Sequence, residues 1–260
     1  MLGLSARRVA DGGNDAMKIT RSQLPAEVLG SEEDCVYLRG QAARMRYRYM
    51  PECPAETYGH LLERGWRRFG RVFFRPACRR CAECVSLRVD IEAFQPTRSM
   101  RRNLRRNRDL NLLIRRPTVT GSHLALYHRY HRDMESRRLW PPSNNTPEDY
   151  YQSFVEGYGS FGHEILFFDR ARLVAVSLVD VLPGALSSVY SFYDPAERSR
   201  GLGVFSILTQ IRWARQRSVP YLYLGFRVDG NASMRYKARY RPHEVLEGRP
   251  EPVEEPIWRP

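Results

Sequence analysis

Apolar positions recur along this chain with two periods, and the places where the period changes divide the sequence into elements. Over Glu56–Arg64 the spacing of Tyr58, Leu61 and Leu62 fits a short helix. Trp66–Arg75 reads as two strands reversing at Gly70, and Leu87–Ile91 as a further strand. Helical spacing returns after Thr97, a natural N-cap, with Met100 and Leu104 on the inward side, and again over Ser122–Arg138 with Leu124, Leu126 and Tyr127. From Glu164 the pattern becomes strand-like: EILFF, RLVAVSLVDVL and LSSVYSFYD follow one another, GLGVFSILTQIRWARQR is helical, and YLYLGF returns to strand.

This order predicts an α/β (α+β) protein: a mixed sheet with flanking helices in the C-terminal half, and a smaller cysteine-containing α+β unit before it. The expected organisation is a flexible leader over 1–30, an N-terminal unit rich in Cys and Arg over 31–117, a mixed-sheet domain over 118–248, and a flexible tail over 249–260. Pro117 and Gly121 mark the joint, and the tail RPEPVEEPIWRP is too rich in Pro and Glu to predict regular structure.

Charge narrows the function. Against 29 acidic residues stand 42 basic ones, a formal +13 that favours a polyanionic partner. Only Lys18 and Lys237 are lysines. Arginine abundance by itself follows from a GC-rich coding bias, so periodic placement is the better signal, and a lysine where arginine is the rule points to a need for the compact ammonium at position 237. No apolar run approaches the ~18 residues of a membrane span. A soluble, cytoplasmic protein is expected.

The 260 residues include five cysteines. Cys78, Cys81 and Cys84 form a C-x2-C-x2-C run, with Cys35 the candidate fourth ligand for zinc or an iron–sulfur cluster. Arg88 stands where a ferredoxin-type run carries its next Cys, which argues against a bacterial ferredoxin. Free or redox-active thiols are the alternative, and clustering of this kind fits a reducing compartment better than a disulfide framework.

Immediately downstream, Arg98, Arg101, Arg102, Arg105, Arg106 and Arg108 fall within a sector of roughly 160° at about 100° per residue. One helix face is almost wholly guanidinium, without Glu partners at i+4, and suits phosphate binding. Further on, Arg198-Ser199-Arg200-Gly201-Leu202-Gly203 lies between a strand and a helix, where small residues let backbone amides approach a phosphate. With the strands around this turn, the C-terminal half resembles the GNAT superfamily of acyltransferases.

The whole stretch from about Asp34 to Gly248 resembles a narrower family, the aminoacyl-tRNA–protein transferases, which include arginyl-transferases and bacterial leucyltransferases. The resemblance is carried by Cys35-Val36-Tyr37-Leu38, Gly65-Trp66-Arg67-Arg68-Phe69-Gly70, Arg75-Pro76-Ala77-Cys78-Arg79-Arg80-Cys81-Ala82-Glu83-Cys84 and Pro96-Thr97-Arg98-Ser99-Met100-Arg101-Arg102. It continues with Asp194-Pro195 and the Gly-Leu-Gly turn, Tyr221-Leu222-Tyr223-Leu224-Gly225-Phe226 and Met234-Arg235-Tyr236-Lys237-Ala238-Arg239-Tyr240. Arg39 and Ser86 stand where the family usually has Pro.

The resemblance implies transfer of an amino acid, leucine before arginine, from charged tRNA to the N-terminal amine of proteins beginning with Asp or Glu, which marks them for degradation. The aminoacyl ester is already activated, so such an enzyme mainly aligns an amine, removes its proton and stabilises an oxyanion; no nucleophilic triad is needed. Expected roles are tRNA phosphate binding for Arg98, Arg101, Arg102, Arg105 and Arg106, and binding of the acceptor end of the tRNA for Arg198, Arg200, Gly201 and Gly203. Lys237 or Arg239 would pair with the acidic side chain of the acceptor. Tyr190, Tyr193 and Tyr223 are candidates to orient the amine. A coenzyme-A-dependent acetyltransferase and a non-enzymatic RNA- or metal-binding protein are the competing classes.

Overall fold

The computed structural model describes residues 24–260. In chain order its elements are β1 (Val28–Leu29), β2 (Glu33–Asp34), β3 (Ala42–Ala43), β4 (Met45–Tyr49), α1 (Ala55–Glu63), β5 (Arg67–Phe69), β6 (Val72–Pro76), β7 (Val85–Asp90), α2 (Arg98–Arg106) and β8 (Asn111–Arg115). Then come α3 (Gly121–Arg138), α4 (Pro147–Tyr150) continuing into a π-helical turn, β9 (Gly162–Asp169), β10 (Arg172–Leu182), β11 (Ala185–Tyr193) and a 3-10 segment, Pro195–Arg200. The chain finishes with α5 (Leu202–Gln216), β12 (Tyr221–Arg227), α6 (Ala232–Arg235), a second 3-10 segment, β13 (His243–Leu246) and β14 (Trp258–Arg259).

The large sheet has eight strands in the order β14-β13-β7-β12-β11-β10-β9-β8, and a four-stranded sheet runs β1-β4-β6-β5. Neighbours in the large sheet are antiparallel except β11 and β12. That one parallel pair is registered only over Ala185–Ser187 against Tyr221–Tyr223, after which the strands part. Two bulges coincide with the parting: β10 and β11 slip register between Leu178 and Val179, and β12 slips against β7 between Tyr223 and Gly225. A bulge bends its strand and strengthens the local twist, so the two carboxyl ends diverge. Gly225, at φ +78, supplies the left-handed residue that the β12 bulge requires.

Helices cover both faces of this sheet. On one side α5 places Phe205, Leu208, Ile211 and Ala214 against Val89, Phe167, Val174 and Leu222. On the other, α3 packs Leu126, Tyr127, Tyr130 and Met134 against Leu166, Val176, Leu178 and Phe192. Because β10 is buried on both faces, its sequence is a near-continuous apolar run broken only by Ser177 and Asp180 after its first residue, not an alternating one. A third core joins α1 and the four-stranded sheet to the rest through Tyr58, Leu61, Leu62, Trp66, Phe73 and Tyr223.

The expected boundary near Pro117 does not separate two sheets. β7 and β8, from the stretch assigned to the N-terminal unit, both lie in the eight-stranded sheet. β7 is buried between β12 and β13 through Leu87 and Val89, so the N-terminal stretch contributes strands to the large sheet. The tail also departs from expectation: Trp258 pairs with Leu246 and packs its ring against Tyr223 and the Arg88 guanidinium, so an aromatic anchor overrides the Pro-rich composition. Of the expected leader, residues 1–23 lie outside the described residues, whereas Val28 and Leu29 pair with Tyr47 and Arg46. Among the described residues no helix is long and apolar enough to cross a membrane.

Candidate active site

β5 crosses the point where β11 and β12 separate. Strand alternation sends the two arginines of Trp66-Arg67-Arg68-Phe69 to opposite faces. Arg68 turns inward and forms a buried two-point ion pair with Asp180 on β10, 2.8 and 2.5 Å. Arg67 and Phe69 share the other face. Phe69 reaches the Tyr190 ring on β11, 6.4 Å between centroids, and the Arg67 guanidinium lies against Tyr223 and Phe226 on β12, at 5.7 and 5.4 Å. β5 therefore bridges both diverging strands.

Lys237 enters the same region from the 3-10 segment after α6. Its Nζ donates to the Phe226 carbonyl at 2.7 Å, with 8% of the residue exposed. Burial, reinforced by the Arg67 charge, pulls its pKa from 10.5 down to about 7. Arg67 is 6% exposed, and burial pulls its pKa down to about 10. Among the described residues neither cation is paired with a carboxylate. Arg239, the alternative to Lys237, is exposed and does not join this group.

The three candidate tyrosines do not form one cluster. The Tyr190 hydroxyl is 2.9 Å from His131 Nε2, and burial raises its pKa well above the usual value while that of His131 falls to about 4. Tyr223 accepts a hydrogen bond from Arg88 at 3.1 Å, and burial pushes its pKa up to about 12. These two flank the separating strands. Tyr193 sits apart, against Tyr130 and beside Gly203 at the start of α5. His123 has a structural partner in the buried Glu164, 3.1 Å away.

α2 forms as its Thr97 cap predicts, with Thr97 Oγ1 accepting from the Met100 amide. Arg98, Arg101, Arg102, Arg105 and Arg106 are exposed on α2, and Arg108, expected on the same face, is exposed in the turn beyond the helix end; among the described residues none pairs with a carboxylate. Arg106 donates to the Ser199 carbonyl, and the Asn103 and Asn107 side chains donate to the Arg200 carbonyl at 2.9 and 3.0 Å. These hydrogen bonds dock the arginine helix onto the glycine turn and border a cavity of about 450 Å³ lined by Arg105, Arg106, Arg108, Asp109, Ser199 and Arg200. The turn's own arginines differ from those of α2: Arg198 pairs with Asp133, and Arg200 with Asp109 and Glu197. Gly201, at φ +66, makes the turn, and a Cβ there would lie 2.8 Å from Asn103 Nδ2.

The four cysteines come from two loops and lie near one another. Burial, followed by the neighbouring Cys35, Cys78 and Cys81, pushes the Cys84 thiol up to about 12. The Arg44 amide donates to Cys78 Sγ at 3.4 Å, and Arg249 ties down the Cys78 and Cys81 carbonyls at 3.1 and 2.7 Å. The donor set suits zinc or an iron–sulfur cluster, yet among the described residues no three Cys, His, Asp or Glu side chains converge in a metal-holding geometry.

Sequence reasoning assigned no role to Arg67 or Gly225, although both stand in the motifs that carry the family resemblance. Two signals were available: adjacent arginines in a strand must face opposite ways, and a glycine inside a strand marks a bulge or a close approach.

Comparison with known proteins places this geometry. Residues 33–102 match the N-terminal model and residues 122–247 the C-terminal model of the arginine-tRNA-protein transferases. The chain is 40% identical over 228 residues to an aspartate/glutamate leucyltransferase of Campylobacter jejuni, covering 87% of this chain and 95% of the relative. It is 38% identical over 232 residues to that of Helicobacter hepaticus, covering 89% and 96%. Among solved structures, FemX overlaps 72% of this chain and 76% of its own at 8% identity, with a TM-score of 0.43. From the two family matches and the near full-length relatives, the chain belongs to the arginine-tRNA–protein transferase family and is an aminoacyl-tRNA–protein transferase.

Proposed function

We propose that this enzyme transfers leucine from charged tRNA to the N-terminal amine of acceptors beginning with Asp or Glu. The relatives' names support the donor and the acceptors. The observation that carries the acceptor reading is Lys237, a buried lysine without a carboxylate partner among the described residues, held against β12 beside Arg67. An acidic first residue supplies the missing negative charge.

In this reading the unpaired guanidinium face of α2 holds tRNA phosphates and brings the acceptor end toward the adjoining glycine turn. The aminoacyl ester enters between the diverging strands. The acceptor amine attacks the ester carbonyl, a new C–N bond forms, and the C–O bond to the tRNA ribose breaks. The amine proton passes through solvent to the departing ribose oxygen. An α-amine with a pKa of about 8 is partly neutral at physiological pH, so alignment does most of the work. Cys35, Cys78, Cys81 and Cys84 are the residues that would hold a metal or cluster, whose role would be to fix the two loops; no step of the transfer passes through them.

An acetyl-coenzyme A enzyme would have little use for the exposed arginine face of α2, which weighs against that class. The test is to supply labelled leucyl-tRNA, arginyl-tRNA or acetyl-coenzyme A in turn with peptides beginning with Asp. Label from leucyl-tRNA supports the reading, label from arginyl-tRNA changes the donor, and label only from acetyl-coenzyme A replaces the reaction.

A further inference from the structure

Arg67 carries half of a hydrogen-bonding pattern. Its Nη1 donates to the Trp66 carbonyl at 2.7 Å and the Leu62 carbonyl at 3.3 Å. Its Nε and Nη2 are buried and have no partner among the described residues. Those two nitrogens form the edge of the guanidinium that matches the two oxygens of a carboxylate. On the same strand Arg68 uses that edge on Asp180, so the backbone supplies an internal example of the pairing Arg67 lacks.

No side chain stands at Gly225, beside this unpartnered edge. A Cβ built on Gly225 would lie 3.9 Å from Arg67 Nε and 3.7 Å from Lys237 Nζ, so two buried cations converge on a point that any side chain at 225 would occupy. Bringing like charges together out of water, without an anion between them, destabilises the folded chain, and such groups persist where a ligand compensates them. The Tyr223 and Phe226 rings fix the guanidinium plane and leave it little freedom to turn elsewhere.

We infer that Arg67 is the carboxylate anchor of the acceptor site: its Nε–Nη2 edge takes both oxygens of the first Asp or Glu side chain, with Lys237 as the second cation on the same group. This inference rests on the acidic-acceptor reading proposed above. It adds a reason for exclusion. A guanidinium edge only donates, so the amide NH2 of Asn or Gln would face an N–H without an acceptor, and buried sites discriminate strongly against such mismatches. Arg67 is thus a specificity-determining residue, and Lys237 alone, as a point charge, would select less sharply.

The experiment compares kcat/KM for otherwise identical peptides beginning with Asp and with Asn, using the full-length wild-type enzyme and its Arg67→Gln and Arg67→Lys variants. Thermal unfolding without substrate and affinity for charged tRNA are measured on each. Wild type should favour Asp. Arg67→Gln should lose roughly a hundredfold on the Asp peptide, chiefly in KM, while Asn use does not fall, so that the ratio collapses. Arg67→Lys keeps the charge without the two-point edge and should recover part of the loss. Neither variant should unfold at a lower temperature than wild type or bind charged tRNA more weakly. An unchanged Asp-to-Asn ratio in both variants overturns the inference. So does loss of tRNA affinity, which would make the anion a phosphate, and so does equal loss on both peptides with a lowered unfolding temperature, which would make Arg67 structural. If wild type itself ignores Asp peptides, the acceptor reading fails first and takes this inference with it.

Discussion

Replacing Lys237 by Met removes a buried ammonium while keeping most of the side-chain volume, and the consequence for stability depends on pH in a calculable way. Folding moves the lysine pKa from 10.5 to about 7, with Arg67 and Cys84 the charged and titratable neighbours facing it. The folded pKa is the lower one, so the unfolded chain binds the extra proton throughout the interval between the two values. Stability therefore rises with pH across that window, by about 1.4 kcal/mol per pH unit, and the full penalty is in force below about pH 7. Between pH 7 and pH 9 wild type should gain about 2 to 3 kcal/mol relative to Lys237→Met. Arg67, with a pKa of about 10, stays charged over this range, and Cys84 is common to both proteins, so neither distinguishes the two profiles. The hydrogen bond to the Phe226 carbonyl, worth about 1 kcal/mol, is lost equally at every pH. Urea unfolding of both proteins at pH 6, 7, 8 and 9 reads the difference directly, because groups titrating in both cancel. The variant's relative stability should be greatest at pH 6–7 and decline toward pH 9. Parallel profiles would refute the claim that the folded protein buries an uncompensated charge at 237.

Further outcomes follow from other parts of the site. Arg68→Met leaves Asp180 buried without its partner and should destabilise the protein by about 3 to 5 kcal/mol, measured by chemical denaturation; a loss below about 1 kcal/mol would mean the pair is not desolvated. Arg101→Ala with Arg105→Ala should weaken tRNA binding at low salt and flatten the salt dependence by about one unit of slope for each phosphate no longer neutralised, while transfer at saturating tRNA changes less. Metal analysis of anaerobically purified protein tests the cysteine site: zinc, or iron with sulfide, that Cys81→Ala removes supports ligation, whereas metal-free wild type with full activity would reduce the cysteines to ordinary thiols.

How far these features were legible in the sequence depends on whether local pattern or long-range pairing controls them. Thr97 and the spacing of Met100 and Leu104 placed α2 within a residue of its observed start, since a cap and an amphipathic stripe are local. The run from Glu164 to Phe226 likewise gave β9 to β12 and α5 in order. Strand partnership was not legible. β7 is short and alternates apolar with polar residues, and its place between β12 and β13 depends on residues more than a hundred positions away. Trp258 lies in a Pro-rich tail whose composition says nothing of the Tyr223 and Arg88 side chains waiting for it. For the site, Lys237 stood out because lysine is rare in this chain, and burial gives that rarity a physical meaning. Arg67 did not stand out among so many other arginines. Only the structure distinguishes it from Arg68, through the presence of Asp180 on one face of β5 and no carboxylate, among the described residues, on the other. The arginines of the glycine turn show the opposite case: their sequence context suggested free phosphate ligands, whereas Asp109, Asp133 and Glu197 from three separate segments claim them.

The central claim is that the buried cations Arg67 and Lys237 beside β12 select acidic N-termini for leucine transfer. The most direct measurement is the incorporation of labelled leucine from total charged tRNA into peptides beginning with Asp, Glu, Ala or Lys, with labelled arginine run in parallel. Label from leucine on the Asp and Glu peptides, with little on Ala or Lys, is the predicted result. Equal labelling of all four peptides, or of none from either amino acid, would contradict it.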